Sequence, residues 1–367
     1  MSAAVRAVFA PRSEGPWLFG KRTDLAVFGG SALAALGLLA VGGALGLLDG
    51  ESPGWTWIAC VLAIDVAHVW STVFRVYLDP AEVRRRPLLY VGAPLLCWGL
   101  GVMLYAFGPM TFWRALAYAA VFHFVRQQWG WVALYRRRAG ETRDRWLDMA
   151  AVYAATVYPL IWWHAHLPRG FVWFLQGDFV VGLAAPVATL LAPVYWGVMI
   201  AFAARQLWRW RRGTLNPGKA LVVFTTWLCW WLGIMVFDGD FAFTVTNVII
   251  HGVPYLALTY RYGRARAAER PGGLLAVILR GGALAFLAFV VIVAFAEEAL
   301  WDRYVWHDRP WLFGEGLETS DAVLLLLVPL LAVPQATHYL LDGFIWKVRG
   351  GNPSLSRELG GRGALES

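Results

Sequence analysis

Apolar stretches of about 20 residues recur along the whole chain, each long enough to cross roughly 30 Å of hydrocarbon as a helix rising about 1.5 Å per residue. A soluble core has no use for such lengths. Composition agrees: 59% of the 367 residues are hydrophobic and 15% are charged, where an ordinary soluble domain carries roughly 25% charged residues. Spans are read at Leu25 to Leu48, Trp55 to Tyr77, Leu88 to Phe107, Thr111 to Leu134, Trp146 to Trp163, Val180 to Ala204, Ala220 to Phe237, Phe241 to Tyr260, Leu274 to Phe295 and Ala322 to Trp346. The expected fold is an all-α polytopic membrane protein, with about ten transmembrane helices in one bundle over residues 25–346. Residues 1–24 form a cytoplasmic N-terminal segment and 347–367 a cytoplasmic tail. No internal repeat or low-complexity segment interrupts this pattern.

The net charge of +8 does not point to nucleic acid, because the basic residues sit in short clusters between apolar stretches rather than along one soluble face. Lys21 and Arg22, Arg84 to Arg86, Arg136 to Arg138, Arg205 to Arg212, Arg261 to Arg270, and Lys347 with Arg349 all fall on one side of the expected bilayer. The positive-inside rule makes that side cytoplasmic. The opposite side receives Asp49 with Glu51, Asp238 with Asp240, and the longest loop, Ala296 to Asp321. A bacterial inner (plasma) membrane is the expected location. The first apolar run has the length of a spanning helix rather than of a cleavable signal. Cys60, Cys97 and Cys229 all lie inside apolar segments without CxxC spacing, which argues for inert thiols rather than disulfides or a thiolate metal site.

Ionisable side chains at membrane depth are costly and must face a cavity or a partner. Of seven histidines, His164 and His166 lie at the outer end of the fifth span and His307 in the large loop, where structural roles are the expectation. The other four, His68, His123, His251 and His338, sit on spans two, four, eight and ten, all running from outside to inside. Counting to the cytoplasmic end, His68 precedes Tyr77 by 9 residues, His123 precedes Leu134 by 11, His251 precedes Tyr260 by 9 and His338 precedes Trp346 by 8. All four therefore lie roughly 12 to 17 Å from that end, near the midplane. Each has a polar neighbour one helical turn away: Asp65, Arg126 with Gln127, Asn247, and Asp342, with Gln335 a further candidate beside His338.

A histidine that binds a metal usually donates its other ring N–H to a carboxylate or amide, so His68, His123, His251 and His338 are the expected metal ligands. Asp65, Arg126, Gln127 and Asp342 are the expected catalytic or orienting residues. Imidazole with added aspartate makes non-haem iron the expected occupant. The corresponding activity is an oxygenase or other oxidoreductase acting on a lipophilic substrate from the bilayer, with an electron donor as a further partner. Arg126, Gln127 and Gln128 are too hydrophilic to face lipid and are expected to line a polar chamber. Trp70, Trp227, Trp230 and Trp231 are candidates for the wall of an apolar pocket. Two other classes stay open. The histidines can pair as ligands of b-type haem in an electron-transfer subunit, or relay protons in a transporter.

The HxxxH and HxxHH boxes of membrane fatty-acid desaturases and hydroxylases are missing from the chain. In architecture alone, single histidines on several spans resemble the bacterial membrane-embedded carotene-cleaving dioxygenases, where such histidines hold one iron; no motif is matched residue by residue. Glu297 and Glu298, with Arg303, bear a loose likeness to the paired glutamates of intramembrane CAAX-type proteases, but the arginine spacing differs and the pair is expected at a span's outer end.

Overall fold

The computed structural model describes residues 15–48, 52–182 and 185–347. Asp49, Glu51, Arg349 and most of the two terminal segments lie outside the described residues. Among those described there is no β-strand, and ten long helices form the bundle. Eight are long and apolar enough to cross a membrane: α1 (Lys21–Ala44), α2 (Gly54–Arg75), α3 (Pro87–Ala106), α6 (Ala185–Arg211), α7 (Pro217–Val236), α8 (Asp240–Glu269), α9 (Leu274–Trp306) and α10 (Asp321–Ile345). Between them run α4 (Pro109–Ala139) and α5 (Arg145–Ala165). These two coincide with the fourth and fifth expected spans but are more polar than the rest; α4 alone carries Arg114, Arg126 and Arg136 to Arg138.

Local chemistry explains the boundaries. Helix α4 opens on Pro109, whose missing N–H costs nothing in a first turn, and closes on Gly140, which takes the left-handed conformation at φ 68°. Asn216 caps α7 by accepting the Lys219 N–H at 3.3 Å. Helix α9 runs eleven residues past the expected end at Phe295, because no glycine or proline interrupts the chain before His307 turns left-handed at φ 58°. Glu297 and Glu298 consequently lie within a helix and not in the outer loop.

Hydrogen bonds and ion pairs gather the helix ends. The start of α1 meets the end of α4 through Tyr135, which donates to Asp24 at 2.7 Å. Arg75, at the end of α2, reaches the Ile345 carbonyl at the end of α10 (3.0 Å) and Glu82 in the following short helix (2.9 Å). Arg266 of α8 pairs with Asp79 at 2.6 Å. Burial raises the Glu82 carboxyl pKa, but the Arg85 hydrogen bonds, the Arg75 charge and the Tyr90 hydroxyl outweigh it and hold it at about 2. Around the α4–α5 turn, Asp148 pairs with Arg136 and with Lys219 (3.0 Å), and Glu141 with Lys219 (2.6 Å) and Arg209 (3.3 Å). The ends of α2, α4, α6, α8 and α10 thus meet the starts of α1, α5 and α7 at one arginine-rich end. At the other end Phe241, beginning α8, packs on Trp55, beginning α2, and against Gly42 of α1.

Helix α8 is the axis of the bundle. Its apolar window is 89% buried, against 17% for α3 and for α9, so its polar residues must find partners in protein. It approaches α2 closely at Gly252, where an added Cβ would stand 2.5 Å from the Ile64 side chain and 3.2 Å from its carbonyl oxygen. Small residues permit such backbone contact in lipid, where packing rather than hydrophobicity holds helices together. Gly252→Ala is therefore expected to cost about 1–3 kcal/mol of stability and to spread the adjoining His68 and His251. Thermal unfolding in detergent checks this, and an unchanged midpoint would mean that Ile64 yields freely.

Candidate metal centre

The four histidines expected in one layer converge. Their side chains are 4% exposed or less, and they come from four different helices: His68 from α2, His123 from α4, His251 from α8 and His338 from α10. Two of these helices widen into π-helical turns just before the histidine, over Trp57–Val66 in α2 and Thr244–Val248 in α8. Such turns shift the direction of the residues that follow and recur at functional sites. In α10, Pro334 sits at the break between Asp321–Leu331 and Val333–Ile345, four residues before His338. Proline cannot supply the backbone N–H that a continuous helix needs there.

The rings meet through their Nε2 atoms. His68 and His251 face each other at 3.1 Å, as do His338 and His123. Ring centroids lie 4.9 Å apart for His68 and His338, and 5.1 Å for His123 and His251. Ligand atoms of His68, His123 and His251 fall within 4.8 Å of one another, as do those of His123, His338 and Asp342. Two imidazole nitrogens bound at right angles to one metal, each at about 2.1 Å, are about 3.0 Å apart. The observed pairs fit that spacing.

The opposite ring nitrogens meet an outer layer. Asp342 lies 3.9 Å from Nδ1 of both His123 and His338, and Tyr255 donates a 2.6 Å hydrogen bond to it. Thr72 lies 2.8 Å from His338 Nδ1 and 3.2 Å from the Tyr255 hydroxyl, which also accepts from the Trp346 indole at 3.2 Å. Asp65 Oδ1 is 3.5 Å from His68 Nδ1. Phe124 stacks on His251 at 3.6 Å between centroids and Tyr339 on His123 at 4.7 Å, locking both ring planes and walling the cluster with aromatic surface. His68 Nδ1, His251 Nδ1 and Asp65 Oδ1 are buried without hydrogen-bond partners, a costly arrangement for a purely structural network.

Other expected participants are placed elsewhere. Arg126 is exposed and donates to Tyr153 of α5 at 2.7 Å, outside the cluster. Gln127 holds the His251 backbone carbonyl at 2.8 Å, and Gln128 accepts from Thr226 at 3.0 Å. One run thus serves three surfaces, since consecutive helical residues point about 100° apart. Asn247 donates to Phe243 and Thr246 rather than to His251, and Gln335 donates to Tyr339 rather than to His338. Trp227 donates to Tyr195, Trp230 is buried in the core, and Trp70 donates to Glu297. His164, His166 and His307 each contact a backbone carbonyl in their own helical turn.

Sequence reasoning missed Thr72, Tyr255, Phe124 and Tyr339. Thr72 and Tyr255 stand four residues after His68 and His251, the same-face spacing that singled out Asp342, so the signal was present in hydroxyl rather than charged form. Because Tyr255 orients the Asp342 carboxylate, Tyr255→Phe is expected to weaken metal binding about 10- to 100-fold with the fold intact, as read by competition against a chelator. Comparison with known proteins finds no matching family, no similar curated protein and no similar solved structure.

Proposed function

We propose that the protein is a metal-dependent oxidoreductase, with non-haem iron at the four histidines, that oxygenates a lipophilic substrate drawn from the bilayer. The observation that carries this reading is the meeting of four imidazoles from four helices through their Nε2 atoms, in pairs 3.1 Å apart. That spacing favours neighbouring ligands of one small ion. His68, His123, His251 and His338 are the ligands in this reading. Asp342 and Asp65 take the Nδ1 sides, and Tyr255 and Thr72 hold the Asp342 side in place.

Bound iron would supply the capacity to activate dioxygen. The chain's own contribution is positional. Phe124, Tyr339 and Tyr255 keep water from the imidazoles and offer apolar faces to a substrate, while Tyr255 holds its proton against Asp342 Oδ1. The surrounding topology in this reading is ten spans in a bacterial inner membrane, with both termini and the arginine-rich end in the cytoplasm, where an electron donor would dock.

Elemental analysis and an absorption spectrum of detergent-purified protein, prepared without chelators, test the proposal. About one equivalent of iron without a Soret band is the expected result. A strong Soret band would replace it with the haem reading, and a folded, metal-free protein would move the weight to a proton-relaying transporter.

A further inference from the structure

Helix α9, which packs on α2, brings a second set of acids beside the histidines. Glu297 accepts hydrogen bonds from the indoles of Trp70, two residues beyond His68, and of Trp301 (3.3 Å). Glu298 follows Glu297 in the chain and stands four residues, about one turn, before Asp302 on the same helix. Asp65, three residues before His68 on α2, and Glu297, Glu298 and Asp302, in chain order along α9, make a string of carboxylates toward the end of α9 remote from the arginine clusters. Among the described residues these acids do not come close enough together to hold one ion.

Buried polar atoms without hydrogen-bond partners lie at both ends of this string. At its inner end His68 is 1% exposed and its Nδ1 has no hydrogen-bond partner, yet it faces Asp65 Oδ1, itself unpartnered, at 3.5 Å. At its outer end Asp302 is 2% exposed. Its Oδ1 accepts the N–H groups of Asp308 (3.1 Å) and Arg309 (2.9 Å), while Oδ2 is left without a partner. Arg309 stacks over Trp57 and lies 4.0 Å from Asp302. Carboxylates at membrane depth are costly unless they are protonated, paired or part of an ion path, and a low-dielectric lining that carries charge of one sign concentrates ions of the other.

We propose that Asp302, Glu298, Glu297 and Asp65 form the route by which a divalent cation reaches the four histidines from the end opposite the arginine clusters. The proposal rests on the metal reading above, and its test separates the two. Full-length protein in detergent is stripped with chelator and mixed with Co(II), whose ligand-field absorption reports arrival at the histidines. Glu298→Gln is expected to slow uptake on the order of tenfold while the final cobalt content equals that of the wild type. Glu298→Asp restores the rate, and Glu318→Gln in the outer loop leaves it unchanged. Should Glu298→Gln fail to fold, Glu297→Gln and Asp302→Asn are each expected to slow uptake in its place. Wild-type rates in the neutralised variants would overturn the route alone. A wild-type protein that takes up no cobalt would overturn the metal reading and the route with it.

Discussion

Alanine at His123 is expected to abolish metal binding at the proposed centre while leaving the bundle folded. His123 belongs to both groups of mutually close ligand atoms, shares a 3.1 Å contact with His338 and is held flat by Tyr339. Removing a residue that merely orients a metal ligand typically weakens affinity 10- to 100-fold, so loss of a ligand itself should exceed about a hundredfold. Alanine at His68, His251 or His338 should act in the same direction. Elemental analysis of purified variants, with helix content and elution volume as controls, is the measurement. Full iron retention in all four would show that the imidazoles hold the helices rather than a metal.

The second large effect is expected at the arginine-rich end, where stability and not activity is at stake. Asp148 and Lys219 are both 0% exposed and 3.0 Å apart, with Arg136 and Glu141 completing the cluster. Arg209 of α6 joins them through Glu141, so two acids face three bases there and tie the α4–α5 turn to α6 and α7. Asp148→Asn keeps the shape and removes one negative charge, leaving a buried base uncompensated; a loss of about 3–5 kcal/mol is expected. Adding Lys219→Met restores the original net charge of the cluster and should recover part of it. Unfolding in detergent measures both, and a single variant as stable as the wild type would mean that water reaches the cluster.

The helices were legible because their signal is local. Apolar length reports a membrane-length helix directly, and the boundary errors have local causes too, such as the uninterrupted run to Trp306 that carried Glu297 and Glu298 into α9. The candidate site was legible only in part. Depth along a helix follows from counting residues, so His68, His123, His251 and His338 could be placed in one layer. Direction around a helix follows from packing. The three- or four-residue spacing pointed equally to Asn247, Gln335 and Arg126, which face Phe243, Tyr339 and Tyr153 instead, and it passed over Tyr255 and Thr72 because hydroxyl groups at membrane depth draw less notice than charges.

From its sequence alone, then, the protein is committed to an all-α, membrane-length helical architecture, since a chain this apolar must satisfy its backbone hydrogen bonds within each segment. Which imidazoles meet was decided by tertiary structure. The close approach at Gly252, the π-helical turns before His68 and His251, and the break at Pro334 set the rotation and tilt of four helices against one another. Those angles depend on contacts between residues as far apart in the chain as His68 and His338, and no local pattern encodes them.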